Sequence, residues 1–382
     1  MHTAVFSIVS PNYRHYARVL MDSMQRNHPD WDRFVLFVGD PSVQGSDGEP
    51  FTSVPLDALP LPNPRQFCFR YTIVELNTAV KPWMFEHLFA RGYDRVIYFD
   101  PDIVIYSPLA ELDAAPPQTF ITLTPHLTGS IEGDEHPSER TILQAGTYNL
   151  GFLVVTRQPA LSRFLAWWKG RLEFQCLVDP ARGLFVDQKW MDLAPGLFPD
   201  VSILRHDGYN VAYWNLRQRS VVMTNGATTV NDQTLRFFHF SGFDATLPER
   251  VSRHDGKLRL VQVGHARKLI EDYRAALHAA GSASFKNARY GFAVFADGTR
   301  VPDAARAAYR KSNELQAAAG SDPFARPELF RELRDPLAKR MNKRALRMLL
   351  RVKPLAQWLP RPVRGALRDF MVGRREATSE ER

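Results

Sequence analysis

The chain contains few cysteines and has no long apolar run. Its two cysteines, Cys68 and Cys176, are far apart, which argues against a disulfide framework and against a thiolate metal site. No stretch approaches the ~18 apolar residues that a membrane-spanning helix requires. Residues 1–9 lack the basic and hydrophobic regions of a secretory signal, and they predict a first strand instead. We therefore expect a cytoplasmic protein.

Outside the C-terminal region, the chain carries almost no net charge. Residues 331–382 contain 15 Lys and Arg and 6 Asp and Glu, whereas the other 330 residues contain 34 and 35. A nearly neutral main body argues against a nucleic-acid-binding core. In the segment 337–352, helical spacing places apolar residues on one side and basic residues on the other. This pattern predicts a helix at an anionic membrane surface, or else a terminal helix docked on the domain with a solvated basic face.

Core-forming residues are abundant, because 45% of the chain is hydrophobic and 12% is aromatic. The length of 382 residues allows two domains, or one large domain with an appendage. Strands and helices alternate in the first hundred residues, and this order indicates a parallel sheet with crossover helices. The predicted strands are 4–10, 34–40, 96–100, 121–124, 152–155 and 235–240. The predicted helices are 12–27, 72–90, 159–171 and one after Gln188, with loops at 41–65 and 126–146 and a helical, irregular region at 260–330.

The sequence Asp100-Pro101-Asp102 directly follows the apolar run 95–99. Such a run predicts a buried parallel strand, and strand alternation sends Asp100 and Asp102 to the same side. Pro101 fixes its own φ and stiffens this corner. Two carboxylates at a strand end, where ligand crevices form, suit Mg²⁺ or Mn²⁺ bridged to a diphosphate. The alternative is a solvated acidic turn after a core strand.

His239 stands at the end of another predicted strand, shortly before Gly242. A neutral imidazole at that place would complete the coordination of the same metal. Gly242 would let the backbone approach a phosphate closely. The alternative for His239 is a structural histidine whose hydrogen bonds are satisfied within the core.

Four further polar residues are candidates for contacts with a substrate. Asn149 precedes a predicted strand and could place an amide near a sugar, although a turn explains it equally well. Asp187 and Gln188 mark a predicted helix start, where an N-cap is the alternative. Lys81 is a candidate clamp for a diphosphate, or else a surface charge.

Taken in order, these segments resemble the retaining nucleotide-sugar glycosyltransferases of the glycogenin and lipopolysaccharide-galactosyltransferase type. The resemblance covers residues 4–245 and implies a GT-A fold, a Rossmann-like α/β fold with a mostly parallel central sheet. The segments that carry it are Ser7-Ile8-Val9-Ser10, Tyr13 to Ser23, Lys81, Asp100-Pro101-Asp102, Tyr148 to Phe152, Asp187-Gln188 and Phe238 to Gly242.

The resemblance also implies a role for each of these positions. Asp100, Asp102 and His239 would bind Mn²⁺ or Mg²⁺. Asn149, Asp187 and Gln188 would contact the donor sugar and are the candidate catalytic residues. The nucleotide would be held by Ser7, Val9, Tyr13, Lys81 and Gly242, with Tyr13 stacked on a uracil base.

The chain departs from the family pattern after Gly242. The family usually places a lysine three residues later, where it touches the diphosphate, but this chain has Ala245. Either the charge is neutralised from elsewhere in the chain, or the donor is held differently. The candidates are Lys81, Arg217, Arg219 and Arg253.

The resemblance predicts a metal-dependent transferase that moves a sugar, with retention, from a nucleoside diphosphate sugar to an acceptor hydroxyl. A UDP-sugar is the favoured donor, and a membrane-presented glycan or glycolipid the favoured acceptor, reached from the inner membrane face through the basic tail. The expected domains are a glycosyltransferase domain at 1–258, an extension at 259–330 and the tail at 331–382. Three alternatives stay open: an inactive nucleotide- or glycan-binding scaffold, a nucleotidyltransferase, and a protein that modifies its own tyrosine.

Overall fold

The computed structural model describes residues 1–39, 48–131, 137–285 and 287–333. Its strands are β1 (Thr3–Val9), β2 (Asp32–Phe37), β3 (Thr52–Pro55), β4 (Arg95–Phe99), β5 (Ile103–Ile105), β6 (Ile121–Pro125), β7 (Tyr148–Thr156), β8 (Val178–Asp179), β9 (Leu184–Phe185), β10 (Val201–Ile203), β11 (Val221–Thr224), β12 (Ala227–Val230), β13 (Gln233–Thr234) and β14 (Phe237–His239). Its α-helices are α1 (Arg14–Asn27), α2 (Pro64–Arg70), α3 (Ile73–Ala79), α4 (Lys81–Ala90), α5 (Ala110–Asp113), α6 (Glu139–Ala145), α7 (Leu161–Gln175), α8 (Ala194–Leu197), α9 (Ala266–Ala279), α10 (Ser282–Phe285), α11 (Asp303–Lys311) and α12 (Asn313–Ala319).

Seven strands form the central sheet, in the order β10-β6-β7-β4-β1-β2-β3. Strand β7 runs antiparallel to its neighbours β4 and β6, whereas the other neighbouring strands of this sheet are parallel. The prediction of an α/β chain with a mostly parallel central sheet is therefore confirmed. Strand β5 lies outside this sheet and pairs antiparallel with β14.

Both faces of the sheet are buried, which explains why its strands read as continuous apolar runs. In β1, Phe6 and Ile8 pack into the core on one face, and Val5 and Val9 pack into the core on the other. Helices α3, α4 and α7 contribute to the first of these cores, and α1 contributes to the second. Strand β4 ends at Phe99, and the polar residues that follow it leave this buried layer.

Two predicted loops contain regular structure. The range 41–65 includes β3 and the start of α2, and 126–146 includes α6. Strand β3 is a short edge strand that contains Ser53 and ends at Pro55, and such residues are tolerated at a sheet edge although their composition is typical of loops. Residues 40–47 and 132–136 lie outside the described part of the chain.

The predicted extension 260–330 packs onto the rest of the described chain. Tyr273 of α9 stacks on Phe240, with ring centroids 3.9 Å apart. Farther along, Arg306 donates a hydrogen bond to the Phe69 carbonyl at 3.0 Å, and the Phe330 ring lies 5.0 Å from that of Phe69. Within the described residues, no helix has the length and apolar character needed to cross a membrane. The basic helix predicted at 337–352 lies outside these residues.

Buried histidines make the stability of the fold sensitive to acid. Nε2 of His28 accepts a hydrogen bond from the Leu109 amide at 2.9 Å, and its ring stacks on Trp31. Burial lowers the pKa of His28 to about 4, from 6.5. The folded state thus binds this proton more weakly than the unfolded state does. The stability contributed is complete above pH 6.5 and is lost as the pH falls toward 4, by up to about 3 kcal/mol.

We therefore expect His28→Gln, which keeps an acceptor for the Leu109 amide, to lose less stability than the wild type between pH 7.5 and 4.5. Urea unfolding at several pH values measures this difference. The exposed His278 gives the matched control His278→Gln. His15 and His126, whose pKa values burial also lowers to about 4, remain in every variant, so part of the acid sensitivity persists. Identical pH profiles for His28→Gln and wild type would contradict the assignment.

Candidate active site

Three potential metal ligands converge at the carboxyl end of β4. Asp100 follows this strand directly, Asp102 precedes β5, and His239 ends β14 opposite Ile103. Nε2 of His239 lies 3.1 Å from Oδ1 of Asp102 and 3.7 Å from Oδ2 of Asp100. One ligand atom from each of the three lies within 4.8 Å of those of the other two. These three side chains therefore lie close enough to bind one cation.

Backbone hydrogen bonds fix the turn that carries the two aspartates. The Asp100 amide donates to the Gly151 carbonyl at 2.7 Å, and the Phe240 amide donates to the Asp102 carbonyl at 2.8 Å. The Tyr98 hydroxyl donates to Oδ1 of Asp100 at 2.5 Å. The carboxylates thus belong to a corner that three separate segments hold in place.

The His239 ring is oriented by Asn210. Its Nδ1 lies 3.2 Å from Oδ1 of Asn210, an acceptor, so Nδ1 carries the proton and Nε2 faces the carboxylates. Burial lowers the pKa of His239, but Asp102 and Asp100 outweigh this effect and raise it overall. The two carboxylates therefore stabilise the protonated, positively charged form of this imidazole.

Gly151 fits closely between these ligands. A Cβ atom built on this residue would lie 2.5 Å from Cε1 of His239 and 2.9 Å from Oδ2 of Asp100. Atoms do not approach this closely, so any side chain at this position would displace His239 or Asp100. The close approach requires glycine.

Asn149 and Gln188, which the sequence separates widely, contact each other beside the three candidate ligands. Oδ1 of Asn149 accepts from the Gly151 amide at 3.1 Å and from Nδ2 of Asn210 at 3.0 Å. Oε1 of Gln188 accepts from the Leu150 amide at 3.0 Å and lies 3.3 Å from Nδ2 of Asn149. Both side-chain amides are buried, and this network holds them in fixed orientations.

Lys81 and Asp187 form a buried ion pair. Nζ of Lys81 lies 2.7 Å from Oδ2 of Asp187, and each side chain is 2% exposed. The same Nζ donates to the Leu150 carbonyl at 2.9 Å and lies 4.0 Å from the centre of the Tyr98 ring. Asp187 precedes the 3₁₀-helix Gln188–Leu193 but makes no capping hydrogen bond. Burial raises the pKa of Asp187, and Lys81 opposes that shift.

Removing one partner of this pair should destabilise the fold strongly. We expect Lys81→Met to lower the free energy of unfolding by about 3–5 kcal/mol, because it leaves a buried carboxylate without its counter-ion. The double variant Lys81→Met/Asp187→Asn should recover part of this loss, and urea unfolding measures both. The exposed pair Lys268–Asp272 supplies the control Lys268→Met, expected to cost less than about 1 kcal/mol. A loss equally small for Lys81→Met would contradict the prediction.

The candidate nucleotide-binding residues occupy two different environments. Tyr13 is half-buried and stacks on Tyr16, with ring centroids 4.7 Å apart. Ser7 and Val9 are buried within β1, and the Ser7 hydroxyl has no hydrogen-bond partner among the described residues. Gly242 has a φ of +70°, and a Cβ there would meet the His254 ring. Tyr13 is thus partly accessible to a ligand, whereas the Ser7 and Val9 side chains are buried within the sheet.

Sequence reasoning missed Asn210 and Gly151, which hold the predicted ligands in place. Asn210 has a φ of +52°, a conformation that asparagine adopts more readily than most residues. In the sequence, only its position shortly after Gly208 hints at a turn here.

Two aromatic residues near Asn210 pack around the site. Tyr209 and Trp214 are buried, and the Trp214 ring meets the His239 ring edge-on, with centroids 5.1 Å apart. Packing is thus a role of both aromatic residues.

The chain is similar in sequence to two uncharacterized proteins of Bacillus subtilis (strain 168). It is 30% identical to YfnF over 153 residues, which are 39% of this chain and 50% of YfnF. It is 27% identical to YfnD over 253 residues, which are 64% of this chain and 79% of YfnD. The match thus spans about half the length of YfnF. No protein-family model matches the chain.

Several solved structures are distantly similar. The galactosyltransferase LgtC, in complex with donor and acceptor sugar analogues, is 15% identical; the match covers 72% of this chain and 95% of LgtC, with a TM-score of 0.39. The apo form of the glycosyltransferase GlyE of Streptococcus pneumoniae TIGR4 is 13% identical; the match covers 75% of this chain and 64% of GlyE, with a TM-score of 0.42.

Proposed function

We propose that this chain is a divalent-metal-dependent glycosyltransferase, which moves a sugar from a nucleoside diphosphate sugar to an acceptor hydroxyl. The convergence of Asp100, Asp102 and His239 at the end of β4 carries the proposal. Breaking the bond between a sugar and a diphosphate requires that the charge on the leaving group be offset. It also requires oriented polar groups at the sugar, and Asn149 and Gln188 lie next to the three ligands.

The three ligands suit a hard divalent cation with open coordination positions. Two carboxylates and one imidazole supply oxygen and nitrogen atoms that Mn²⁺ and Mg²⁺ accept, and they would leave further positions on the ion to the substrate and water. The Asp100 and Asp102 side chains are 31% and 22% exposed, whereas His239 is 3% exposed, so the accessible side is that of the carboxylates. A bound Mn²⁺ or Mg²⁺ would offset the negative charge that grows on the leaving diphosphate.

The remaining candidate residues have roles that follow from how they are held. We assign the orientation of the donor sugar to Asn149 and Gln188, because their amides are locked by the network around Leu150 and Asn210. We assign base stacking to Tyr13, whose ring Tyr16 already holds. A uridine nucleotide is the favoured partner for this ring.

The ion pair of Asp187 with Lys81 bears on the stereochemical course of the proposed sugar transfer. Retention of configuration results from a carboxylate nucleophile or from attack by the acceptor on the leaving-group face. Because Oδ2 of Asp187 contacts Lys81 at 2.7 Å, nucleophilic attack would break a buried ion pair. We therefore favour attack on the leaving-group face, with Asp187 stabilising positive charge at the anomeric carbon. A glycosyl adduct on Asp187, found by intact-mass and peptide analysis after incubation with donor, would contradict this preference.

The acceptor is proposed from charge alone. The basic segment at 331–382 suits an acceptor presented at an anionic membrane surface, such as a lipid-linked glycan. Co-sedimentation with phosphatidylserine vesicles, comparing the whole chain with residues 1–333, tests this point. Equal sedimentation of both proteins would contradict it.

Nucleotide binding in the presence of metal tests the proposed function. We expect UDP with Mn²⁺ to raise the thermal unfolding midpoint, and UDP without metal to raise it much less, because Asp100, Asp102 and His239 would hold an ion that attracts the diphosphate. A panel of UDP-sugars should then show Mn²⁺-dependent hydrolysis of one donor. Stabilisation by a nucleotide without turnover of any donor would favour the inactive scaffold. Release of pyrophosphate from UTP and a sugar phosphate would favour a nucleotidyltransferase.

A further inference from the structure

The absence of a lysine at Ala245 raises the question of which cation faces the diphosphate, and the answer rests on the proposed function. A diphosphate carries more negative charge than one divalent ion neutralises, so a nearby basic side chain is expected. Three of the candidate side chains have partners that hold them elsewhere. Lys81 pairs with Asp187 and is 2% exposed, Arg217 lies 3.0 Å from Oδ2 of Asp255, and buried Arg219 donates to the Tyr209 carbonyl at 2.6 Å.

Arg253 occupies a turn that is joined to the strand end carrying His239. The Arg253 amide donates to the Gly242 carbonyl at 2.9 Å, and the Ser252 hydroxyl donates to the Ser241 carbonyl at 2.8 Å. The His254 amide in turn donates to the Ser252 hydroxyl at 3.1 Å. These bonds place residues 252–254 against Ser241 and Gly242, which closely follow His239 in the chain.

The Arg253 side chain is exposed. Its charge and that of Asp102 both act on the Tyr13 hydroxyl, so Tyr13 is near both residues. Asp244 is an acidic neighbour of Arg253. Arg253 thus stands on a turn joined to the strand end that carries His239, and its charge acts on Tyr13. The phosphates of a nucleotide that stacks on Tyr13 and reaches the three candidate ligands would pass close to this turn.

We propose that Arg253 is a diphosphate-binding residue, which takes the place of the lysine that is missing at Ala245. The planar guanidinium suits two phosphate oxygens at once, and it is always charged. Its role is to bind the donor and to hold the leaving group, together with the metal. The turn 252–254 thereby becomes part of the nucleotide site, although it follows the last recognisable motif.

Binding of UDP and UMP to the full-length protein in the presence of Mn²⁺ tests this assignment. We expect Arg253→Ala to weaken UDP binding about 10- to 100-fold, as the loss of charged hydrogen bonds predicts, and to change UMP binding little. Arg253→Lys should retain part of the affinity for UDP. The exposed Arg267 on α9 provides the matched control Arg267→Ala, which should bind UDP as the wild type does.

Two results would overturn the role of Arg253 while leaving the proposed function intact. The first is unchanged UDP affinity in Arg253→Ala. The second is an equal loss of UDP and UMP affinity, which would mean that Arg253 only supports the Tyr13 ring. If the wild type itself binds no UDP with Mn²⁺, the proposed function fails, and the role of Arg253 fails with it.

Discussion

Replacing Asp102 by asparagine is expected to lower Mn²⁺-dependent donor hydrolysis on the order of a thousandfold. The substitution keeps the size of the side chain but removes one of two carboxylates from a site with three ligands. Charge stabilisation at a leaving group contributes several kcal/mol to catalysis, and each 1.36 kcal/mol corresponds to about tenfold in rate. Initial rates at saturating UDP-sugar, measured over a range of Mn²⁺ concentrations, give both the maximal rate and the apparent metal affinity.

The matched control is Asp57→Asn, which changes an exposed aspartate in the 3₁₀-helix Leu56–Ala58, away from the site. It should leave both quantities unchanged. Asp100→Asn should be about as damaging as Asp102→Asn, and the double variant little worse, because ligands of one ion act as a unit. Full activity of Asp102→Asn would refute the assignment of the metal site.

Adding one methyl group at Gly151 should have the next largest effect. The new Cβ would meet Cε1 of His239 and Oδ2 of Asp100, so both ligands must shift. We expect Gly151→Ala to weaken Mn²⁺ binding on the order of a hundredfold and to lower the free energy of unfolding by about 1–3 kcal/mol, the usual range for overpacking. Titration of Mn²⁺, followed by electron paramagnetic resonance of the free ion, measures the first effect, and urea unfolding measures the second.

Gly170 in α7 provides the same substitution in open space. A Cβ there has no heavy atom within 4 Å, so Gly170→Ala should leave Mn²⁺ binding unchanged. It should also stabilise the helix, by about 0.5–1 kcal/mol. Equal Mn²⁺ affinities for Gly151→Ala and Gly170→Ala would show that the ligands do not depend on the space beside Gly151.

The convergence of Asp100, Asp102 and His239 was predictable because each stands at the end or the start of a strand. The apolar run before Asp100 and the one before His239 mark strand ends, and strand ends meet at sheet edges. The partners of these residues were not predictable in the same way. Asn210 and Gly151 contact residues that are distant in the sequence, and such contacts leave no local sequence pattern. The same holds for the ion pair of Lys81 with Asp187.

The fold shows the same division between what local patterns report and what they leave out. The buried strands β1, β2 and β4 carry strong apolar runs, and their prediction is confirmed within a few residues. Strand β3 and helix α6 lie within ranges predicted as loops. Both elements are short and only partly buried, and the proline, serine and charged residues in and around them are typical of loops. In such segments, tertiary contacts rather than intrinsic propensity determine the secondary structure.

The pairing of β5 with β14 has a consequence for how the protein matures. This ribbon brings His239 to aspartates that lie far earlier in the sequence. A nascent chain that has emerged only as far as β7 holds both carboxylates but not the imidazole. For the cation site proposed above, uptake would therefore come late in biosynthesis, after β5 and β14 have paired. Tight cation binding would then distinguish mature molecules from truncated or stalled ones.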